Sequence, residues 1–379
     1  MLLLPGPVEV PRSVRKAATY LNNHRSADFK RMVGESEILL NRFLGAKRTV
    51  TITGSGTLAV EAMIYSFLSP SEKVLAVSSG EFGNRMVSSL RRRGCDVTEI
   101  RPNEGNALKF SDIEEAVDRN KGITTLLLVH NETGNGTAIR DLRSITRKSR
   151  DIGLKILVDS VSGFCGYGLD IEQFGIDAVA TCSQKGLASL PGLGIVSMSE
   201  SGLERLRKNS DMPSYIDLSM SLKYLDRSET AFTPSVGIFA AAHRALELLS
   251  EETLERRIAR HKACSGYLRK KLTANGISVF GNADTLSDTV VTFYPRHTSQ
   301  FVVEKLLASR IQVARGMGDI SSNTVRVGTM GMINSHFMLK FLNEYFLADG
   351  VSDITTLEEM PKECRLPDFL LEEIDFQEL

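Results

Sequence analysis

The chain has 379 residues, of which 42% are hydrophobic and 24% charged, and its formal net charge is zero. This length and composition predict a folded protein of two domains, or of one large and one subsidiary domain. The balanced charge gives no electrostatic footprint for nucleic acid or for an anionic membrane surface. No apolar run has the length of a membrane span, so no membrane partner is expected.

The cysteines and histidines exclude further classes of protein. The five cysteines, at positions 95, 165, 182, 264 and 364, are odd in number and contain no Cys-x-x-Cys pair. This pattern argues against a disulfide framework and against a zinc site, and it predicts a reducing, cytoplasmic location. The six histidines show no ligand spacing either, so no metal is expected.

From about residue 35 to 200, segments with strand-like and helix-like patterns alternate. The predicted strands are 49–53, 74–78, 124–130, 155–159, 178–183 and 194–197. The predicted helices are 32–44, 58–68, 85–93, 111–119 and 142–152. This alternation predicts an α/β fold whose mainly parallel sheet is covered by helices on both faces.

The character of the sequence changes after Pro234. A long helical stretch runs from 236 to about 274 and is expected to break near Ser250. Short predicted strands (277–280, 289–294, 312–315 and 324–327) then alternate with helices at 299–309 and 335–347. This part therefore predicts a smaller α+β domain. The tail from Glu358 is acidic and amphipathic, and no chemistry is assigned to it.

A lysine and an aspartate follow apolar runs that predict buried strands. Asp159 ends one run, and Lys185 comes shortly after another. Because the carboxyl ends of parallel strands face the binding crevice, the two side chains would meet at one ligand. The pair suits pyridoxal 5'-phosphate (PLP), since the amine can form a Schiff base and the carboxylate can keep the pyridine nitrogen protonated. A solvated loop lysine is the alternative interpretation.

A turn rich in small residues, Thr53-Gly54-Ser55-Gly56-Thr57, stands between a predicted strand and a predicted helix. Small residues let the backbone approach an anion, and the first helical N–H groups with the hydroxyls of Ser55 and Thr57 can bind a phosphate. The turn lacks the Gly-Lys-Ser/Thr ending of a P-loop and the spaced glycines of a dinucleotide fingerprint. An ordinary strand-to-helix turn is the alternative.

Three more side chains could face the same crevice. Phe82 follows the strand 74–78 and could stack on a flat ring, although it could equally be a core residue. Thr133 follows the strand 124–130 and could bond a polar ring substituent, or it could simply end the strand. Arg326 lies within a predicted strand, where a buried guanidinium needs an anion, either a substrate carboxylate or a structural ion pair.

In their order and spacing these features resemble the class V aminotransferases of PLP fold type I, most closely the serine–pyruvate/alanine–glyoxylate branch. The resemblance runs from Leu4-Pro5-Gly6-Pro7 to Arg326-Val327-Gly328-Thr329-Met330-Gly331 and covers nearly everything except the acidic tail. Its most specific match is Ser183-Gln184-Lys185 followed by Pro191-Gly192, and Val158-Asp159-Ser160-Val161-Ser162 is the next.

The resemblance implies roles for individual residues. Lys185 would be the Schiff-base lysine, Asp159 the partner of the pyridinium nitrogen, and Arg326 the ligand of the substrate carboxylate. Gly6 would belong to the substrate site, and Thr233 would reach the phosphate of the neighbouring subunit. The remaining cofactor-binding residues would be Ser55, Gly56, Thr57 and Gln184 at the phosphate, Phe82 over the ring, Thr133 at the ring hydroxyl, and Val161.

The sequence departs from the family pattern at two places. The family's Ser/Thr-rich run after Glu132 is here Thr133-Gly134-Asn135-Gly136, which could alter the shape of the pocket. The tyrosine that often contacts the partner's phosphate has no clear counterpart before Thr233.

The implied activity is a ping-pong transamination. Its substrates would be a small donor (alanine or serine) and a small acceptor (glyoxylate or pyruvate), and the active sites would lie at the interface of a homodimer. The implied division is an N-terminal segment at 1–15 that reaches the active site, a large PLP-binding domain at 16–248, and a small C-terminal domain at 249–379.

Three alternatives remain open at this point. An aspartate-using enzyme would need a second cation, for which His24 and Arg25 are candidates. A cysteine desulfurase-like lyase would need a reactive cysteine on a mobile loop, whereas Cys264 and Cys364 do not lie in Gly/Ser-rich loops. A non-catalytic PLP-fold subunit would have no need to retain the lysine, aspartate and arginine together.

Overall fold

The computed structural model describes residues 1–102, 106–207 and 211–374. Within these ranges, no helix combines the length and the apolar character needed to cross a membrane. The strands, in chain order, are β1 (Arg48–Thr53), β2 (Lys73–Val77), β3 (Asp96–Ile100), β4 (Thr125–Val129), β5 (Asn131–Glu132), β6 (Thr137–Ala138), β7 (Lys155–Asp159), β8 (Ala178–Cys182), β9 (Leu193–Met198), β10 (Val290–Phe293), β11 (Ala314–Arg315) and β12 (Val325–Gly328).

The α-helices surround these strands. They are α1 (Arg12–Ala17), α2 (Ala27–Leu44), α3 (Gly56–Phe67), α4 (Glu81–Arg93), α5 (Phe110–Arg119), α6 (Leu142–Asp151), α7 (Glu200–Arg205), α8 (Leu218–Leu225), α9 (Val236–Glu252), α10 (Leu254–Ala274), α11 (Ser299–Ala308), α12 (Ser335–Ala348) and α13 (Asp368–Leu371). Short 3₁₀ helices span Ser214–Ile216, Gly318–Ile320 and Lys362–Cys364.

The main sheet has seven strands in the order β1-β9-β8-β7-β4-β2-β3. The strands β3, β2, β4, β7 and β8 are mutually parallel, and β9 runs antiparallel to both of its neighbours. The central strands β4 and β8 are buried along their whole length, as expected for a sheet covered on both faces. The carboxyl ends of β4, β7 and β8 therefore meet at one edge. The predicted α/β fold class is confirmed.

Most of the predicted elements match the structure to within a few residues, but the structure differs from the prediction at the places described next. Strand β3 was not predicted, because its sequence Asp-Val-Thr-Glu-Ile is polar and it lies at the edge of the sheet. The strand predicted at 277–280 is reduced to a single bridge between Val279 and Phe293. The expected helix break near Ser250 lies at Thr253, whose φ of 70° separates α9 from α10.

A second, antiparallel sheet has the order β10-β12-β11. The start of the chain pairs with this region: Leu3 N–H donates to Gln312 O at 2.9 Å, and Gly328 N–H donates to Leu3 O at 2.8 Å. These bonds fix the segment that leads to Gly6. The predicted domain boundary at 248/249 falls inside α9, and the division into domains stays a prediction.

The described part of the acidic tail packs against the rest of the chain. Cys364, Leu370 and Ile374 are buried in the larger hydrophobic core. Near its end, Glu373 accepts two hydrogen bonds from the start of α1: its backbone oxygen from Arg12 N–H at 3.0 Å and its carboxylate from Ser13 N–H at 2.7 Å. The described part of the tail is therefore hydrogen-bonded to the start of the first helix.

Candidate active site

A cavity of about 270 Å³ lies at the carboxyl edge of the main sheet. It is bordered by the ends of β4, β7 and β8, by the starts of α3 and α4, and by the N-terminal segment. Ten of the predicted site residues line it: Gly6, Ser55, Gly56, Thr57, Phe82, Thr133, Asp159, Val161, Gln184 and Lys185.

Lys185 follows the end of β8 and its side chain is buried. Its amine donates a hydrogen bond to the backbone oxygen of Pro5. Burial lowers the pKa of the amine, and the nearby charge of Arg326 lowers it further, while Asp159 raises it. A buried amine with a lowered pKa carries an accessible lone pair, which nucleophilic and base chemistry both require.

Asp159 is the last residue of β7, beside the end of β8. Its Oδ1 accepts a hydrogen bond from Val161 N–H at 2.9 Å, and the residue is 7% exposed. Burial raises the pKa of this carboxyl to about 6, although the Val161 N–H and Lys185 oppose the shift. A cationic group in the cavity would therefore find a carboxylate whose charge is poorly solvated.

The start of α3 borders the cavity beside this pair. Ser55 is the N-cap residue, yet no described side chain caps this helix end. Ser55 and Thr57 are exposed, and both line the cavity. A Cβ on Gly56 would come within 2.8 Å of the Val161 methyls, so glycine allows the helix start to sit against the end of the sheet. N–H groups and hydroxyls are thus presented together at one end of the cavity.

Phe82 lies in the first turn of α4, and its ring approaches the lysine. The Lys185 Nζ is 5.9 Å from the ring centroid. The Arg85 guanidinium carbon is 5.0 Å from the same centroid. The ring can thus contact a flat group attached near Lys185.

Arg326 lies on β12 and is 9% exposed. Its Nε donates to Arg315 O at 2.7 Å, and its Nη1 donates to Thr133 O at 2.8 Å. Burial lowers the pKa of the guanidinium to about 10, and the Glu132 carboxylate opposes this shift. Arg326 does not itself line the cavity but contacts Thr133, which does. Both of its hydrogen-bond partners are backbone carbonyls, and no described carboxylate forms with it the structural ion pair that was the alternative.

Four expected residues do not line the cavity of this chain: Arg326, Thr233, His24 and Arg25. Thr233 lies in a separate depression beside Tyr215 and Phe232, and its predicted contact with a neighbouring subunit stays a prediction. Arg25, a candidate second cation, pairs with Glu229 at 2.9 Å and donates to Thr230 O at 3.0 Å.

Three cavity-lining residues on one face of α4, Arg85, Met86 and Ser89, were not predicted from the sequence. Phe82, Arg85, Met86 and Ser89 on α4 all line the cavity. Their spacing of three, four and seven residues from Phe82 is the signal that could have identified them. Arg85 is exposed, and no carboxylate among the described residues forms an ion pair with it.

Behind the cavity lies a buried ion cluster that contacts the lysine loop. Arg257 donates from Nε to the Glu252 carboxylate at 2.6 Å and from Nη1 to Leu187 O at 3.1 Å. Arg260 donates to the other oxygen of Glu252 at 2.9 Å and to Gly331 O at 3.0 Å. This cluster joins the loop after Lys185 to the loop after β12, so the two loops have a common anchor on α10.

The residues around the cavity fit PLP. An amine with a lowered pKa, a buried carboxylate and an aromatic ring stand around one space. The start of α3, whose N–H groups no described side chain caps, can bind a phosphate at the end of the same space. A Cβ on Gly6 would lie 2.5 Å from the Lys185 side chain, so glycine leaves the room that this side chain occupies.

Comparisons with known proteins identify the family. The profile described as "Aminotransferase class-V" matches residues 15–338. An uncharacterised aminotransferase of Methanocaldococcus jannaschii is 31% identical over 349 residues, which are 90% of this chain and 90% of that protein. The L-aspartate–glyoxylate aminotransferase of Paracoccus denitrificans is 26% identical over 97% of this chain and 92% of its own length.

A solved structure agrees with these matches. The alanine–glyoxylate aminotransferase of Nostoc sp. superposes with a TM-score of 0.86 at 28% sequence identity. The superposition covers 92% of this chain and 94% of that one. The similarity therefore extends over the main sheet, the second sheet and the helices around them.

Proposed function

Because this chain belongs to the class V aminotransferases, which are PLP-dependent enzymes, we propose that it moves the amino group of alanine or serine to glyoxylate or pyruvate by a ping-pong mechanism. The observation that carries the proposal is that Lys185 and Asp159 line one cavity together with Thr133, which Arg326 contacts. Two relatives, named as aspartate–glyoxylate and alanine–glyoxylate aminotransferases, support glyoxylate as the acceptor.

In this proposal the cofactor side of the cavity would hold PLP at four points. The start of α3, with Ser55 and Thr57, would bind the phosphate together with Gln184. Phe82 would cover the ring, Asp159 would pair with the ring nitrogen, and Thr133 would bond the ring hydroxyl. When bound, PLP supplies an aldehyde that exchanges amines and a protonated ring that withdraws electrons from the substrate α-carbon.

Lys185 moves the proton. With PLP bound, the free Lys185 amine would remove the proton at the substrate α-carbon as general base, and the ammonium group so formed would give up a proton as general acid. The lowered pKa of Lys185 favours the neutral amine that this step needs. The Pro5 carbonyl oxygen accepts a hydrogen bond from this amine and can therefore fix the direction in which the Lys185 side chain points.

Arg326 orients the substrate. A guanidinium has five N–H donors, and the backbone oxygens of Arg315 and Thr133 occupy two of them. The remaining donors can form a two-point contact with an α-carboxylate. Because Thr133 and Lys185 line the same cavity, this contact would hold the substrate close to the Lys185 amine.

Two further parts of the proposal concern assembly and location. We expect a homodimer in which Thr233, exposed in its own depression, faces the partner's phosphate site. The five cysteines are buried and form no disulfide in the part of the chain that the structure describes, which supports the proposed cytoplasmic location. Light scattering tests the dimer, and a fully active monomer would contradict it.

Arg85 favours a second candidate, an enzyme that uses aspartate. Arg85 lines the cavity without a carboxylate partner among the described residues, whereas Arg25 is already paired with Glu229. A distal carboxylate could contact the Arg85 guanidinium while Arg326 binds the α-carboxylate. Arg85, not Arg25, is then the cation that a second acidic group would meet.

A half-reaction screen tests both candidates. Single amino acids are added to the PLP-loaded protein, and the visible absorbance of the cofactor is followed as the amino group is taken up. We expect alanine or serine to react fastest, and Asp159→Asn to slow α-proton removal while PLP stays bound. A wide preference for aspartate that disappears in Arg85→Leu but not in Arg25→Leu would replace the first candidate by the second. A protein that takes up no PLP would contradict both.

A further inference from the structure

The proposed chemistry leaves the role of Glu132 unexplained. This residue ends β5, is 1% exposed, and accepts three backbone hydrogen bonds with its two carboxylate oxygens. Oε2 accepts from Phe82 N–H at 3.0 Å and from Gly83 N–H at 3.1 Å. Oε1 accepts from Gly134 N–H at 2.9 Å. One side chain therefore joins the start of α4 to the turn that follows β5.

Glycines make room for this carboxylate on both sides. A Cβ on Gly80 would lie 2.7 Å from the Glu132 Cγ, and a Cβ on Gly134 would lie 2.7 Å from its Oε1. Both contacts are too close for any larger residue without displacing the side chain. Neither glycine has a φ in the left-handed region, so the need for space, and not for conformation, explains them.

The turn held by Glu132 continues to Arg326. Thr133, between Glu132 and Gly134, accepts the 2.8 Å hydrogen bond from Arg326 Nη1. Gly134 O accepts a hydrogen bond from Met317 N–H at 3.2 Å, which fixes the other side of the turn. The proposed cofactor contact at Phe82 and the proposed substrate contact at Arg326 are therefore connected through a single carboxylate.

The electrostatic surroundings match this arrangement. Burial and the Asp159 charge raise the pKa of Glu132 to about 7, and the three backbone N–H groups oppose the shift. The Glu132 charge in turn opposes the lowering of the Arg326 pKa that burial causes. Three N–H donors that converge on two oxygens are best satisfied by a carboxylate, which only accepts.

We propose that Glu132 is the positioning residue that holds the ring-stacking Phe82 and the carboxylate-binding Arg326 at a fixed separation. The cofactor ring and the substrate carboxylate would then bind at a fixed distance from each other. The inference rests on the proposed function, since it assigns PLP to Phe82 and the substrate carboxylate to Arg326. Glu132 acts through these residues and does not itself touch the reacting atoms.

The test uses Glu132→Gln and Glu132→Asp. Glutamine keeps the size but offers an NH₂ group to at least one N–H donor, so either α4 or the turn loses its acceptor. Aspartate keeps the charge but is one methylene shorter and cannot reach both. We expect both variants to weaken PLP binding and to raise KM for the amino donor, each by about tenfold, because loss of the hydrogen bonds at either end breaks the connection between Phe82 and Arg326.

The decisive feature is that the two effects occur together. Phe82→Leu should weaken PLP binding with little change in KM, and Arg326→Leu should raise KM with little change in PLP affinity. Glu132→Gln should change both, and it should also alter the visible circular dichroism of bound PLP, because the ring contact is displaced. PLP affinity is read by quenching of protein fluorescence, independently of turnover.

Glu72→Gln is the matched control. Glu72 also accepts several hydrogen bonds, from Ser69 N–H at 3.1 Å, Thr125 Oγ1 at 2.9 Å and Lys155 Nζ at 3.0 Å, but at the opposite edge of the sheet. It should lower the unfolding midpoint without changing PLP affinity, KM or the visible circular dichroism. If Glu132→Gln does not fold, Gly134→Ala displaces the carboxylate and should give the same paired effect.

The outcomes separate this inference from the proposed function. A wild-type protein without PLP binding would overturn both. A wild-type protein that binds PLP and transaminates, with Glu132→Gln or Gly134→Ala changing neither PLP affinity nor KM, would overturn the role of Glu132 alone. A change in only one of the two quantities would also overturn it, since the residue would then act on one contact and not on their separation.

Discussion

The cofactor side and the substrate side of the cavity are built in different ways. On the cofactor side, Asp159 and Lys185 follow adjacent parallel strands, and α3 begins beside them. On the substrate side, Arg326 lies on the second sheet and is held by two backbone carbonyls from other segments. The first side is fixed by strand ends, and the second by hydrogen bonds between distant parts of the chain.

The two sides of the cavity should therefore respond differently to mutation. A residue at a strand end has its position set by the whole sheet, so its replacement should remove chemistry without moving its neighbours. A residue held through carbonyl contacts depends on several loops, and changes in those loops should reach it. The effects below test whether the two sides separate in this way.

The largest effect is expected at Lys185. Lys185→Ala removes the amine that moves the α-proton, and the rate should fall by at least about 10³-fold, while PLP can still bind at the start of α3. Turnover and cofactor absorbance are the measurements. Lys155→Ala is the control, because Lys155 pairs with Glu72 at 3.0 Å at the far end of β7. Borohydride should attach the cofactor to Lys185, and a label on another lysine would contradict the assignment.

The next effect is expected at Arg326. Arg326→Leu removes two charge-assisted hydrogen bonds to the substrate carboxylate, each of roughly 1.5–3 kcal/mol. The ratio kcat/KM should fall by about a hundredfold or more, with PLP affinity little changed. Arg326→Lys keeps the charge but loses the planar fork and should be intermediate.

Arg119→Leu is the control for this series, since its side chain is 74% exposed on α5 and should have no effect. Arg326→Leu with unchanged kinetics would remove the carboxylate assignment. A large loss of PLP affinity in the same variant would show instead that the two sides of the cavity do not separate.

The two sides also differ in how far the sequence predicts them. The sequence predicted Asp159 and Lys185 as neighbours because a general rule places the carboxyl ends of parallel strands together. For Arg326 the strand pattern left two anions open, a substrate carboxylate or a structural ion pair, and only the family resemblance favoured the carboxylate. It assigned no role to Glu132, because its partners Phe82 and Gly83 lie about fifty residues earlier and contact it through backbone N–H groups that no sequence pattern marks.

The sequence also assigned no role to Arg85 and an incorrect place to Arg25. Arg85 could have been predicted from its helical spacing to Phe82, once α4 was known to start at Glu81. Arg25 was proposed as a cation for the pocket, but its ion pair with Glu229 depends on a residue about two hundred positions away. The order of elements follows from local patterns, whereas the partners of buried charges follow from the packing of the whole chain.

A smaller effect is expected on stability at Asp159. Burial raises its pKa from 3.8 to about 6, so the folded protein binds this proton more tightly than the unfolded chain does. Between these two pH values the unfolded state ionises first, and folded stability falls as the pH rises. Above pH 6 the loss of folding free energy is constant, at about 3 kcal/mol.

Asp159→Asn removes this loss and can still accept the Val161 hydrogen bond. The apoprotein of the variant should therefore be more stable than wild type at pH 7.5, and the gain should be much smaller at pH 4.5, as measured by urea unfolding. Asp118→Asn, on the exposed face of α5, is the control. An equal gain at both pH values would show that the buried charge is not its cause.

The smallest effect is expected at Gly6, where the start of the chain meets the lysine. Gly6 has a φ of 107°, and a Cβ there would lie 2.5 Å from the Lys185 side chain. Gly6→Ala should displace the 5–7 segment and its carbonyl contact with the amine, and turnover should fall by about tenfold, which corresponds to ~1.4 kcal/mol. Gly153→Ala separates strain from contact, because Gly153 has a φ of 92° and no atom within 4 Å of its Cβ position. If both variants lose stability but only Gly6→Ala loses turnover, the close approach to Lys185 is responsible; equal turnover in the two would assign the glycine to backbone conformation alone.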